Sequence, residues 1–179
     1  RMEHIKKNIF RMIDPFNRGK IDAEIANKTS LSLGLPMNTI IYFAVDYDFV
    51  DYEVNDLIIP YFQGIYEKFK EINSVYQIGV YGSRNLCTKT SKKGYTVASF
   101  VGDMSTGYSG NLGFPMPHNW AFDQFHEFTF SKNNESFGLD KDAYSGLDPG
   151  VGSLDLPVDI KFNKDLVIYP ETIVFQNAL

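Results

Sequence analysis

The sequence predicts an α/β fold built on a parallel sheet, and three observations point to it. Residues 40–45 form a continuous apolar run, as in a strand that is buried on both faces. Apolar residues then recur at helical spacing between residues 54 and 72, and a second apolar run follows at 75–81. Strands and helices alternate at the lengths that βαβ units require. This pattern fits a doubly wound sheet, or most of a (β/α) barrel without its first strands, because a complete barrel usually needs about 250 residues.

The first half of the chain supplies the clearest elements. Residues 5–16 fit either a short helix or a strand. A helix is predicted at 17–33, because Gly34 and Pro36 follow it as a stop signal. After the strand at 40–48, the helix at 54–72 contains Pro60, which predicts a kink or a break near Ile59.

The second half of the chain contains shorter elements and more turn residues. We predict a strand at 75–81, a helix at 84–93, and two further strands at 96–101 and 120–128. Residues 104–119 are rich in Gly, Ser and Pro and predict a long loop over a cleft. Residues 131–152 are polar and turn-rich, and the alternating tail predicts strands or a linker. The predicted organisation is a domain at 1–155 and a terminal segment at 156–179, which we expect to lead to a further module.

Composition excludes several classes of function. The net charge of -5 and the absence of a basic stripe argue against a nucleic-acid partner. Three histidines without metal-ligand spacing predict no metal site, and no cofactor motif is present. No apolar stretch is long enough to span a membrane. The single cysteine, Cys87, is predicted to be a buried structural thiol. Because the chain begins Arg1-Met2, we expect an excerpt of a longer polypeptide.

Two carboxylates at the end of the first predicted strand are the strongest functional signal. Asp46 and Asp48 are two residues apart, so strand alternation places both on one side and Tyr47 on the other. Ligands of parallel sheets bind at the carboxyl ends of strands. Paired acids there predict acid/base chemistry on a polar substrate, with sugars as the first candidate. The alternative is a strand-end cap in which both carboxylates accept bonds from the following turn.

Several blocks of the sequence resemble one family. These blocks are residues 33–36, 39–48, 59–64, 78–83, 120–125 and, weakly, 138–142. Together they are similar to the glycoside-hydrolase-like domains of bacterial cell-wall and phage proteins, over roughly residues 17–145. Such domains are similar to family 25 glycoside hydrolases, which are lysozyme-like muramidases. The resemblance implies a TIM-like (β/α) barrel, incomplete at its N-terminal strands, and a secreted or cell-wall location.

The resemblance also implies roles for individual residues. Asp46 and Asp48 match the Asp-x-Glu pair of the muramidases, with Asp in place of Glu, so Asp48 would be the general acid and Asp46 its partner. Trp120, Gln124 and Asp140 match a last-strand segment with Trp and Gln and the acidic turn after it, whereas the early strand that supplies a further acid in that family has no counterpart before Ile5. Asp140 would stabilise the positive charge on the sugar or position water. By their positions at a strand end and in the loop, Tyr81 and Asp103 are expected to contact the substrate together with Trp120 and Gln124. Asp123 is expected on the opposite face from Trp120 and Gln124.

These observations lead to one expected function and two alternatives. The expected function is a glycosidase acting on peptidoglycan, possessing neither metal nor cofactor and fused to other cell-wall-binding modules. The first alternative is a glycan-binding module that retains the cleft without cleaving its ligand. The second is a structural or interaction domain of a larger secreted or phage-borne protein, in which the cleft would be filled or absent.

Overall fold

The computed structural model describes residues 14–133 and 135–154. Helix α1 spans Pro15–Ser32, and helix α2 consists of α-helical Asp51–Glu53, π-helical Val54–Ile58 and α-helical Ile59–Glu71. Helix α3 spans Arg84–Lys92. The strands are β1 Ile40–Ala44, β2 Gln77–Gly82, β3 Ala98–Val101, β4 Trp120–Lys132 and β5 Glu135–Tyr144.

Local sequence signals fix the ends of the two long helices. Asp14 caps α1, because its side chain accepts a hydrogen bond from the Phe16 amide at 3.1 Å. Gly34 follows α1 with φ of 65°, a conformation that glycine adopts without steric cost. Pro60 lacks an amide donor, and the helix changes from π to α geometry just before it, at Ile59. The kink or break that Pro60 predicted near Ile59 is instead a change from π to α geometry within one continuous helix.

The five strands form one mixed sheet in the order β1-β2-β3-β4-β5. The pairs β1/β2, β2/β3 and β3/β4 are parallel, whereas β4 and β5 are antiparallel. Helices connect β1 to β2 and β2 to β3. The link from β3 to β4 is the loop at 102–119, and a hairpin turn joins β4 to β5.

One face of the sheet packs against the helices and forms the hydrophobic core. Phe43 is 2% exposed and makes edge-to-face contacts with Phe62 at 6.5 Å and Phe69 at 6.0 Å, both on α2. Helix α1 packs on α2 through small residues, and its buried positions are Gly19, Ala23, Ala26 and Ser30. The helices therefore form a layer over the sheet face that carries Phe43.

The other face of the sheet is concave and lined with aromatic rings. Tyr42 on β1 lies 6.1 Å from Phe122 on β4, measured between ring centroids. Three strand spacings in a flat sheet would be about 14 Å, so the sheet must curl strongly to bring these rings together. Phe100 contacts both rings, and the Tyr42 hydroxyl donates to Asp148, beyond β5, at 2.8 Å. The sheet is thus a half-barrel with a filled aromatic interior.

The prediction of a TIM-like (β/α) barrel was wrong. The described residues form a five-stranded mixed half-barrel with three helices, and only two of its connections have the βαβ form. The Gly- and Pro-rich link at 102–119 contains no helix. Residues 131–152, predicted to be turns, contain β5, which runs antiparallel to β4 after a turn at Asn133 with φ of 52°. A returning antiparallel strand ends the βαβ repeat that a barrel needs.

Most of the other predicted elements are confirmed within a few residues at each end, and residues 104–119 are indeed a loop. Cys87 is buried, and burial raises the pKa of its thiol to about 12, as expected of a structural cysteine. None of the described helices is long and apolar enough to cross a bilayer. The predictions for residues 5–13 and 156–179 lie outside the described residues.

Candidate functional site

The carboxyl ends of the parallel strands meet at one edge of the half-barrel. Gly82 of β2 pairs with Val101 of β3, which in turn pairs with Asp123 of β4. The next residue, Gln124, pairs with Asp142 of β5. We call this edge the mouth. It is formed by Asp46, Asp48, Tyr81, Asp103, Asp123, Gln124, Asp140 and Asp142.

A chain of hydrogen bonds runs across the mouth from β2 to β5. The Tyr81 hydroxyl donates to Gln124 Oε1 at 2.7 Å, and Gln124 Nε2 donates to Asp140 Oδ2 at 2.5 Å. The amide of Gln124 can act as acceptor and donor at once, which orders both neighbours. Tyr81 also packs edge-to-face on Phe100 at 5.2 Å, so its ring is held by the aromatic interior. These contacts fix a polar floor at the mouth.

Carboxylates that follow β1 or belong to β5, the two outermost strands of the sheet, surround this polar floor. Burial raises the pKa of the Tyr81 hydroxyl well above its ordinary value, and the nearby charges of Asp46, Asp140, Tyr108 and Asp142 raise it further. Asp46 follows β1, at one end of the strand order, whereas Asp140 and Asp142 belong to β5 at the other. The curvature of the sheet is what brings them to the same tyrosine.

Two carboxyl groups of the mouth hold protons more tightly than usual. Partial burial raises the pKa of Asp142, and the charge of Asp140, two residues away on the same strand face, adds to the effect. Burial is also the main cause that raises the pKa of Asp123, followed by the charge of Asp103. One oxygen of Asp123, Oδ1, is buried and accepts no hydrogen bond. A raised carboxyl pKa is the property that a general acid requires.

Asp48 is anchored to the long loop. Its Oδ1 accepts hydrogen bonds from the Ser109 amide at 2.8 Å and from the Ser109 hydroxyl at 2.6 Å. Asp48 is half-buried, whereas Asp46 is exposed and lies at the open side of the mouth. The two acids of the pair therefore differ in surroundings, because one supports the loop and the other faces solvent.

Arg84 ties the same loop to the start of α3. Its guanidinium forms an ion pair with Asp103 through Nη2 and donates to the Phe114 carbonyl at 3.0 Å. The Arg84 amide donates to Asn111 Oδ1 at 2.9 Å, and Asn111 Nδ2 donates to the Gly102 carbonyl at 3.0 Å. Asp103 therefore holds the loop in place through Arg84.

The structure thus brings six of the seven predicted site residues to the mouth. The exception is Trp120, which begins β4 at the far end of its paired segment and packs, half-buried, against the hydrophobic core. Sequence reasoning missed Asp142, Ser109 and Arg84, and it left Asp123 out of the cleft, although the charges of Asp103, Arg84 and Asp142 act on that carboxyl. The alternation of residues 137–144 was the signal for Asp142, since a strand there would place it beside Asp140. No local signal pointed to Ser109, because its contact joins residues 61 positions apart.

In the described part of the chain, no group of three or more His, Cys, Asp or Glu side chains is arranged to hold a metal ion. The side chains that line the mouth carry carboxyl, phenol and amide groups.

Residues 10–144 match the family model described as Rv2525c-like, glycoside hydrolase-like domain. The chain belongs to this family. It is 52% identical over 148 residues to the uncharacterized protein YbfG of Bacillus subtilis (strain 168), covering 80% of this chain and 20% of YbfG. It is 49% identical over 144 residues to the uncharacterized protein FadG of the same organism, covering 79% of this chain and 25% of FadG. The chain thus spans a fifth to a quarter of these relatives. No solved structure matches it.

Proposed function

We propose that this domain is a glycosidase that cleaves the glycan strands of bacterial peptidoglycan, as family 25 muramidases do. Two findings support the proposal: membership of a glycoside hydrolase-like family and the geometry of the mouth. The observation that carries it is the hydrogen-bond chain from Tyr81 through Gln124 to Asp140, with the charge of Asp46 acting on the same tyrosine. A peptidoglycan substrate implies a secreted or cell-wall location, which is part of the same proposal.

Glycoside hydrolysis requires two carboxyl groups on either side of the scissile bond. In our proposal Asp48 is the general acid, and Asp46 is the charged partner beside it. Asp140, on the β5 side, stabilises the positive charge that develops on the sugar ring. Gln124 holds Asp140 in place through its amide nitrogen at 2.5 Å. Tyr81 and Gln124 form the floor on which the sugar hydroxyls are hydrogen-bonded.

Asp142 is the competing proton donor. It lies opposite Gln124 in the β4/β5 register, and its pKa is raised by burial and by Asp140. A proton donor must hold its proton near the working pH, so a raised pKa favours this carboxyl. Asp48 instead accepts two hydrogen bonds from Ser109 through one oxygen. The two assignments predict different inactive variants.

A glycan-binding module without catalysis is the second candidate function. The observation in its favour is that Asp48 and Asp103 already have partners in the loop at 102–119. Carboxylates that support a loop can shape a cleft without reacting. In that case the polar floor of Tyr81 and Gln124 would bind sugar hydroxyls, and no bond would be cleaved.

The decisive experiment measures reducing-sugar release and binding on purified peptidoglycan. The variants are Asp48→Asn and Asp142→Asn, and the matched control is Asp56→Asn, an exposed aspartate on α2. Loss of release in Asp48→Asn alone supports our assignment, whereas loss in Asp142→Asn alone transfers the proton donor to Asp142. Binding without release by the wild type supports the glycan-binding module. If the wild type neither binds nor cleaves peptidoglycan, the proposed function is wrong.

A further inference from the structure

The β4–β5 hairpin extends well beyond the rest of the sheet. Strand β3 ends at Val101, which is paired with Asp123, but β4 continues to Lys132. Residues 124–132 therefore pair only with β5. At 3.4 Å per residue, this segment projects roughly 30 Å past the end of β3. We call the paired residues 126–132 and 135–141 the ribbon.

The ribbon has one polar face and one apolar face. Cross-strand partners share a face, and the apolar pairs Phe128/Leu139 and Phe130/Phe137 lie on one face between the polar pairs His126/Lys141 and Lys132/Glu135. Phe130 is 40% exposed, Phe137 55% and Leu139 39%. The alternating pairs, which lie on the other face, are Glu127/Asp140, Thr129/Gly138 and Ser131/Ser136. A strand pair on a protein surface normally turns its apolar face inward, so this exposed face is expected to be covered.

Strand β5 is also an edge strand. Among the described residues its only neighbour is β4, so one side of Glu135–Tyr144 presents unpaired backbone donors and acceptors. Long exposed edges pair readily with other strands unless they are short, proline-containing, irregular, covered or protected by charged side chains. The β5 edge is ten residues long and contains no proline. Its register shift relative to β4 lies at Gln124/His126, outside the ribbon.

We propose that β5 pairs antiparallel with β5 of a second copy of this chain, with the two-fold axis at Gly138. In this register Phe137 lies opposite the partner's Leu139, and Glu135 lies opposite the partner's Lys141. Symmetry repeats both pairs, so the dimer gains two apolar contacts and two ion pairs on the face that is now exposed. The strand is therefore complementary to itself in shape and charge.

Other registers lose this match. Moving the two-fold axis to Leu139 places Phe137 opposite the partner's Lys141 and separates both pairs of opposite charges. An axis that falls between two residues places the apolar faces of the two ribbons on opposite sides of the joined sheet, because side chains alternate. Only the axis at Gly138 joins the apolar faces and pairs the charges together.

Lys141 is available for this pairing. Its Nζ lies 5.0 Å from the centroid of the Phe128 ring, on the apolar face of the ribbon. Lys141 and Glu135 are both exposed. The edge alone is smaller than a standard protein–protein interface, so the predicted dimer is reversible and its population depends on concentration.

Charge exchange tests the ion pairs. Sedimentation velocity of the wild type should show a monomer–dimer equilibrium, and Glu135→Lys or Lys141→Glu alone should weaken dimerisation at least tenfold. The double variant should restore dimerisation, because each new lysine then faces a new glutamate. An equimolar mixture of the two single variants should form heterodimers. Circular dichroism verifies that each variant is folded. A wild type that stays monomeric, or variants that dimerise equally well, would overturn the proposal.

Cysteine crosslinking tests the register independently. Gly138→Cys places one thiol from each copy at the two-fold axis, within the distance of a disulfide, and the space for its Cβ is adequate, since the nearest atom is Glu127 Oε1 at 3.6 Å. Ser136→Cys is the matched control, because its two copies would lie about 14 Å apart. Mild oxidation should crosslink Gly138→Cys and leave Ser136→Cys monomeric. Equal crosslinking of both would exclude this register, and crosslinking of neither would indicate that another segment or partner covers the edge.

Discussion

The contact between α1 and α2 gives the sharpest stability prediction. A Cβ added at Gly19 would lie 2.0 Å from the Tyr61 carbonyl oxygen, and one added at Gly64 would lie 2.0 Å from the Phe16 carbonyl oxygen. Both obstacles are backbone atoms, which cannot rotate away. The two helices are therefore in direct backbone contact at these glycines, and Gly19→Ala must push them apart.

The expected cost follows from two opposing terms. Alanine favours the helix over glycine by about 1 kcal/mol. Overpacking in a close-packed interior costs about 1–3 kcal/mol, and a collision with backbone belongs at or above the upper limit. We therefore expect Gly19→Ala to lower the free energy of unfolding by about 2 kcal/mol. With a urea slope of about 2 kcal/mol/M, the midpoint falls by about 1 M.

Urea unfolding followed by circular dichroism measures this change. The matched control is Gly107→Ala, because nothing lies within 4 Å of the added Cβ there. The control should unfold within about 0.5 kcal/mol of the wild type, as surface substitutions usually do. If Gly19→Ala is as stable as the wild type or more stable, the helices are not in backbone contact and the packing described above is wrong.

Three further predictions concern the mouth and the core. Tyr81→Phe removes the hydroxyl that donates to Gln124 but keeps the ring contact with Phe100, so the free energy of unfolding, measured by urea titration, should fall by about 1 kcal/mol. The control is Tyr144→Phe, which should leave the free energy of unfolding unchanged because the Tyr144 side chain is exposed. The pKa of Asp123 is raised in the folded state, so its negative charge destabilises the fold above that pKa, whereas below the ordinary pKa of an aspartate the carboxyl is neutral in both states. Asp123→Asn should therefore raise the melting temperature at pH 7 but not at pH 3. An equal rise in melting temperature at both pH values would contradict the argument from burial. The Cys87 thiol is buried and its pKa is raised to about 12, so a thiol reagent at pH 8 should modify it only in denaturant; rapid labelling of the native protein would refute this.

The sequence predicted the helical and parallel part of the fold for local reasons. Gly34 and Pro36 end one helix, Pro60 marks the change of geometry in another, and the apolar run at 40–45 identifies the first strand. These signals act within a few residues of the chain, so the sequence alone contains them. The prediction failed at β5, because a strand with aspartates and glycine among its apolar residues resembles a turn-rich segment.

For the site, the sequence indicated individual strand ends and left their assembly open. It indicated Asp46, Asp48 and Tyr81, since each follows or ends an apolar run, and it indicated Gln124 by its place in the strand at 120–128. It did not indicate that Asp48 binds Ser109, because the position of the loop at 102–119 depends on how the chain folds over the 61 residues that separate them. Nor did it place Asp142 at the mouth, since that depends on the antiparallel return of β5.

By itself, the sequence determined the helix ends, the buried strands and the acids that follow them, because these depend on backbone preference and short-range hydrophobic spacing. Only the tertiary structure decided that the sheet is a half-barrel and that acids from its two ends meet at Tyr81. The physical reason is curvature: the contact between Tyr42 and Phe122, on strands three positions apart, is a property of the curled sheet as a whole.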